Sequence, residues 1–182
     1  ERGQRFRFDA ADPFSVQEHL GRVLRQHQAD VVPAVLLDRA LEVAATNLAR
    51  LAPAAEAAGV TLLLEAINNF DMPGYALPTI GDAAGVVRAV AHPSVGLQFD
   101  AYHVGRLGGD LIGEYDRQRS IVRHVQIADV PGRHQPGTGS LPLRSFLEHL
   151  DAAGYAGAVG LEYTPAGPTA EALSWLPPEE RR

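Results

Sequence analysis

Four short apolar runs of strand type punctuate this chain, and each ends on a polar side chain able to bind metal or move a proton. They are Thr61 to Glu65, Gly96 to Asp100, Arg123 to Gln126 and Ala158 to Glu162. Side chains alternate faces along a strand, so Glu65 shares a face with Leu63, Asp100 with Gln98, Gln126 with His124 and Glu162 with Gly160. Leu64, Phe99, Val125 and Leu161 point the other way. Between the runs the apolar spacing changes to steps of three and four, the helical period. Residues 35–58 carry Leu37, Leu41, Ala44, Leu48, Leu51, Ala55 and Ala58 in that spacing and stop at Gly59. Pro53 inside this stretch predicts a kink or a break into two helices. Further helices are predicted over Thr79 to Ala91, Asp110 to Ser120 and Leu143 to Ala153. A last short one follows Glu162.

Alternating strands and helices predict a parallel sheet with right-handed crossovers. No Gly-rich phosphate loop follows the first strand, which argues against an open dinucleotide-binding sheet. Polar residues at the C-terminal ends of four successive strands favour a closed α/β barrel, whose active sites occupy that face. A complete barrel needs roughly 250 residues, and this chain has 182. The expected organisation is therefore a leader of uncertain structure over residues 1–35, part of a barrel over 36–176, and a charged tail over 177–182.

Composition narrows the function. Net charge is −6, and all sixteen Lys-plus-Arg positions are arginine. The acidic balance argues against nucleic acid and anionic membranes, whose phosphates need clustered cations. There is no Cys, hence neither a disulfide nor a thiol nucleophile, and a cytoplasmic location is the default expectation. No apolar run is long enough to span a bilayer.

Three carboxylates and an amide at one mouth form a candidate site for a divalent metal: Glu65, Asp100, Gln126 and Glu162. Their hard oxygen donors suit Mg2+ or Mn2+. Such a site can move a carbonyl between neighbouring carbons. The metal stabilises an enediolate as a Lewis acid, while Glu65 and Glu162 act as base and acid. Each residue also has a plainer role open to it. A strand-end carboxylate can cap the next helix or pair with an arginine, and Gln126 can satisfy a buried carbonyl. His103, on the loop expected after Asp100, suits either substrate contact or the orientation of a ligand. His124 reads as a core histidine. Arg133 and His134 lie in a Gly- and Pro-rich loop at the mouth, and Asn68 opens the loop beyond Glu65, whose Pro73-Gly74 turn can fold over the site.

Several ordered motifs resemble the hydroxypyruvate isomerase family of xylose-isomerase-like barrels. They are Leu63-Leu64-Glu65-Ala66-Ile67-Asn68, Asp71-Met72-Pro73-Gly74-Tyr75, Leu97-Gln98-Phe99-Asp100-Ala101-Tyr102-His103, His124-Val125-Gln126-Ile127-Ala128, Val130 to Pro136, and Gly160-Leu161-Glu162-Tyr163. The resemblance covers about residues 39–176. It implies strands five to eight of a (β/α)8 barrel, truncated or divergent at the N-terminus, since residues 4–35 do not look like the family. It implies metal binding by Glu65, Asp100, Gln126 and Glu162, and substrate contact by His103 and Arg133. The activity implied is interconversion of hydroxypyruvate and tartronate semialdehyde or a similar small hydroxy-carbonyl compound. A ketose 3-epimerase using the same two glutamates is the alternative enzyme. A truncated, non-catalytic barrel fragment is the alternative outside enzymes. Thr164, Ser140 and Pro142 depart from the family pattern, which bears on substrate identity more than on the metal. A half barrel would also leave two sheet edges open to another copy of the chain, so a homo-oligomer is expected.

Overall fold

The four strand-type runs form one parallel sheet in the computed structural model, which describes residues 34–177. The strands are β1 (Leu62–Glu65), β2 (Val95–Asp100), β3 (Val122–Ile127) and β4 (Val159–Leu161). They lie in the order β1-β2-β3-β4, as expected when each crossover returns beside the strand just left. The connections are α1 (Ala34–Ala57) ahead of β1, then α2 (Ile80–Val90), the pair α3 (Ala101–Arg106) and α4 (Leu111–Gln118), and α5 (Leu143–Ala152). A one-turn helix, α6 (Thr169–Ala172), follows β4. The predicted tail from residue 178, and the leader up to residue 33, lie outside the described residues.

Register carries the face assignment. Gln98 pairs with His124 and Asp100 with Gln126 across β2 and β3, while Gln126 pairs with Gly160 across β3 and β4. The polar set therefore falls on one face. Leu97, Phe99, Val125 and Ile127 on the opposite face are wholly buried beneath the helices. Phe99 stacks on Phe146 of α5 at 5.4 Å between ring centroids and meets Tyr115 of α4 edge-on at 5.8 Å. Each such large apolar side chain contributes about 1.5–3 kcal/mol through burial. This aromatic cluster fixes α4 and α5 against the sheet, and so fixes the strand ends they frame.

Two expectations need correction. Helix α1 runs unbroken through Pro53. The ring sits on the exposed side, while Ala52 and Ala55 beside it are buried in the core. Tertiary packing holds both halves in one helix despite the missing N–H. The segment after Asp100 is not a loop but α3, which starts at the very next residue. Asp100 is its N-cap, its carboxylate accepting from the Tyr102 amide at 2.8 Å. His103 therefore stands on a helix. At α2, a capping box between Thr79 and Asp82 sets the start, which the pattern Thr-x-x-Asp before an apolar run encodes.

Candidate active site

Asp100 ends β2 at the centre of the polar face and is almost wholly buried. Glu65, from the end of β1, and His103, one turn into α3, converge on it. His103 Nε2 is 3.7 Å from Asp100 Oδ2 and 3.8 Å from Glu65 Oε1. One ligand atom from each of the three lies within 4.8 Å of the others. Glu162, just past β4, comes from the far end of the sheet order, and Arg133 links it to the centre. The Arg133 guanidinium Nη2 sits 2.8 Å from Glu162 Oε2 and 3.5 Å from Asp100 Oδ2. Gln126 faces the same side, where its amide oxygen accepts from the side chain of Gln98. The plainer roles weighed for these residues thus hold in part: Asp100 does cap a helix, and Glu162 does pair with an arginine.

Too few cations serve these acids. Burial, then the nearby charges of Asp100 and Glu162, raise the Glu65 carboxyl from the ordinary 4.5 to about 8, although Gln98 and Arg133 work against the shift. Burial likewise raises Asp100 to about 7, opposed chiefly by Arg133. His103 is pushed down to about 4 by burial and by the Arg133 charge, so its imidazole is neutral near pH 7. Among the described residues, Glu65 Oε1 is buried without a hydrogen-bond partner. An orphaned buried oxygen amid converging hard donors is the arrangement a divalent cation would complete. On that ground the residues present fit such an ion.

The loop after β3 carries Arg133 and His134. Arg133 adopts a left-handed backbone conformation, φ 53°, and its guanidinium lies 4.9 Å above the Tyr102 ring. His134 Nδ1 is 2.7 Å from the Thr164 carbonyl, which ties this loop to the segment after β4 and away from the acids. The whole loop is organised by Asp129, which is buried. Its two oxygens accept from the backbone amides of Val130, Gly137, Gly139 and Leu141 at 2.9–3.0 Å. Nothing in the apolar spacing marks Asp129; the one available signal is an acid placed ahead of a loop with three glycines.

Asn68, a candidate for substrate contact, is instead fully buried with its amide engaged inside the protein. Its Oδ1 accepts from the amides of Phe70 and Asp71, and its Nδ2 reaches Asp71 Oδ2 at 2.9 Å and His103 Nδ1 at 2.8 Å. Asp71 also accepts from the Tyr102 hydroxyl at 2.8 Å. Partial burial opposes ionisation of Asp71, but hydrogen bonds from Asn68 and Tyr102 and the charge of Arg106 outweigh it and lower its pKa. Neither Asp71 nor Tyr102 is marked by strand phase, because both act through contacts between segments. A cavity of about 200 Å³ opens beside Asp100 and His103 towards Thr79 and Glu114; its lining includes none of Glu65, Gln126, Arg133 or Glu162.

With this geometry in place, the chain's kinship is clear. It belongs to the xylose isomerase-like TIM barrel family, whose model matches residues 15–179. It is 42% identical over 132 residues to a 2-oxo-tetronate isomerase of Cupriavidus necator, covering 72% of this chain and 51% of that protein. It is 45% identical over 137 residues to a putative hydroxypyruvate isomerase of Streptomyces coelicolor, covering 72% and 49%. A crystal structure of an AP endonuclease, family 2, from Brucella melitensis matches with a TM-score of 0.73 and 36% identity, over 77% of this chain and 54% of that one. The chain thus spans about half the length of the curated relatives it matches. Among the described residues, no helix is long and apolar enough to cross a membrane.

Proposed function

We propose that this chain carries the proton-transfer site of a metal-dependent isomerase acting on a small hydroxy-carbonyl compound, hydroxypyruvate and tartronate semialdehyde being the expected pair. The observation that carries the reading is the convergence of Glu65 and Asp100 around an unpartnered buried oxygen, with Glu162 entering from the other end of the sheet. The names of the two isomerase relatives support the reaction class.

Glu65, Asp100, Gln126 and Glu162 would hold the ion, Mg2+ or Mn2+ by donor hardness. When bound, it would supply Lewis-acid stabilisation of negative charge on adjacent substrate oxygens. The protein's own residues do the rest. One of Glu65 and Glu162 takes the proton from the carbon bearing the hydroxyl. The other returns a proton to the neighbouring carbon while the hydroxyl's own proton passes to the former carbonyl oxygen, so the carbonyl moves with no net change in atoms or electrons. The raised Glu65 pKa suits this work, since a group titrating near the working pH both accepts and releases a proton readily. Arg133 holds Glu162 in place, and its guanidinium fork suits an anionic substrate end.

An endonuclease reading, prompted by the Brucella structure's name, has less behind it. A net charge of −6 and a mouth of clustered carboxylates repel a phosphate backbone.

The test is turnover of hydroxypyruvate by the chain with Mg2+ or Mn2+ added, monitored by product formation. Glu65→Gln and Glu162→Gln should each lower kcat by about 10²–10⁴, the usual contribution of a positioned acid or base, with the circular dichroism spectrum retained. Intact turnover in both variants would overturn the assignment. Free ketoses separate the epimerase alternative, which inverts one carbon without moving the carbonyl.

A further inference from the structure

We propose that Asn68 is a positioning residue that locks His103 in the Nε2–H tautomer, so that His103 offers a hydrogen-bond donor, and not a metal-binding lone pair, to the space beside Glu65 and Asp100.

The argument starts from which atoms of Asn68 can face which partners. Its Oδ1 lies 3.1 Å from the amide nitrogen of Phe70 and 3.0 Å from that of Asp71. Both are N–H donors, so only the carbonyl oxygen can stand there. The other end of the amide lies 2.9 Å from Asp71 Oδ2, a carboxylate oxygen that also accepts from Tyr102. Only an NH2 group satisfies it. The amide orientation is therefore fixed from both ends.

The second N–H of that NH2 group points at His103 Nδ1, 2.8 Å away, and the backbone N–H of Asn68 reaches the same nitrogen at 3.3 Å. A ring nitrogen that faces two donors carries a lone pair, not a proton. In a neutral imidazole the proton then sits on Nε2. His103 and Asn68 are both buried, so water cannot substitute for either partner.

The consequence lies on the other edge of the ring. Nε2 is 3.7 Å from Asp100 Oδ2 and 3.8 Å from Glu65 Oε1, too far for a direct hydrogen bond. Proximity alone groups His103 with the two acids as a candidate metal triad. The tautomer argues otherwise, because a protonated nitrogen has no lone pair to give a cation. The Nε2–H is instead available to an oxygen placed in that gap. On the isomerase reading, on which this role rests, that oxygen belongs to the substrate, and the donor helps hold negative charge as it develops there.

The imidazole nitrogens of the full chain, labelled with 15N in histidine, report the tautomer directly in two-dimensional NMR. The His103 signals are assigned by their loss in His103→Gln. The expected wild-type spectrum has a bare Nδ1 and a protonated Nε2, both unchanged on saturation with Mg2+. A protonated Nδ1, or an Nε2 that loses its proton when Mg2+ is added, would overturn the proposal. Asn68→Asp replaces the nearer, side-chain donor facing Nδ1 with an acceptor and leaves only the main-chain N–H at 3.3 Å, so the proton should move to Nδ1 and kcat should fall at least tenfold. Retention of the wild-type tautomer in a folded Asn68→Asp would remove the Asn68 side chain as the lock. If that variant does not fold, the wild-type spectrum alone still decides the tautomer. The two readings fail separately: a protonated Nε2 in a chain without turnover leaves the tautomer standing and sinks the isomerase, while a protonated Nδ1 in an active chain does the reverse.

Discussion

At the scale of single residues, the site is a problem in charge. Glu65 holds its proton up to about pH 8 in the folded protein, against 4.5 ordinarily, because burial and the neighbouring carboxylates penalise its charged form. A folded state that binds a proton more tightly than the unfolded chain loses stability as pH rises between the two values. The contribution of this group to the metal-free protein's stability should therefore be full below about pH 4.5 and weaken steadily towards pH 8. Asp100, raised to about 7, pulls in the same direction over its own window. Urea unfolding of the protein in chelator at a series of pH values checks this. The midpoint should fall from acid to neutral pH in the wild type and fall less in Glu65→Gln, which carries no charge to bury. A wild-type midpoint that rises across pH 5 to 8 would mean that neither acid is held protonated. The phase of these acids was legible in the sequence, since each ends a strand-type run with an apolar neighbour on either side. Their partners were not. Arg133 meets Asp100 and Glu162, and Tyr102 meets Asp71, across 29 to 33 residues of sequence, and periodicity carries no information at that range.

Among the elements, strands and long helices followed from alternation and three-to-four spacing, because each buries one face and the pattern records which. Helix α3 escaped that logic. Its six residues, Ala101–Arg106, span fewer than two turns, too few for a period to emerge, and its start is set by the side chain of the strand's own last residue. The loop after β3 is a second case. It has no apolar pattern, yet its shape is set by one buried carboxylate that accepts four backbone amides. Asp129→Asn keeps the size but turns one acceptor oxygen into an NH2 that faces other donors. It should cost about 1–3 kcal/mol, the penalty for leaving buried donors unsatisfied. Turnover should fall as well, because this loop carries Arg133. Gly139→Ala tests the same knot from the other side. A Cβ there would lie 1.8 Å from the Val130 carbonyl oxygen, a backbone atom that cannot swing away. Thermal unfolding together with kcat measures both variants. Wild-type stability and activity in both would show that the knot does not position the arginine.

For the molecule as a whole, the open question is the sheet's two sides. Among the described residues β1 and β4 each pair with one neighbour only, so each presents a row of backbone N–H and C=O groups on its outer side. Such edges recruit other strands unless a charge or a covering element blocks them. Here the blocking is weak. Leu161 on β4 and Leu63 on β1 are 41% and 39% exposed, and no charged side chain interrupts either strand before Glu65 and Glu162 at their ends. These exposed leucines and the unpaired backbone together favour contact between copies of this chain. Sedimentation velocity should therefore detect association that grows with protein concentration. Leu161→Lys places a charge at the end of the β4 edge without replacing any of the acids or Arg133. It should shift the population towards monomer while leaving the circular dichroism spectrum and metal uptake as they were. A wild type that stays monomeric at every concentration would mean that the edges are already covered, and the prediction would fail with the variant never needed. A wild type that associates equally well as Leu161→Lys would instead move the contact to another surface, since a buried ammonium in a strand pairing is too costly to go unnoticed.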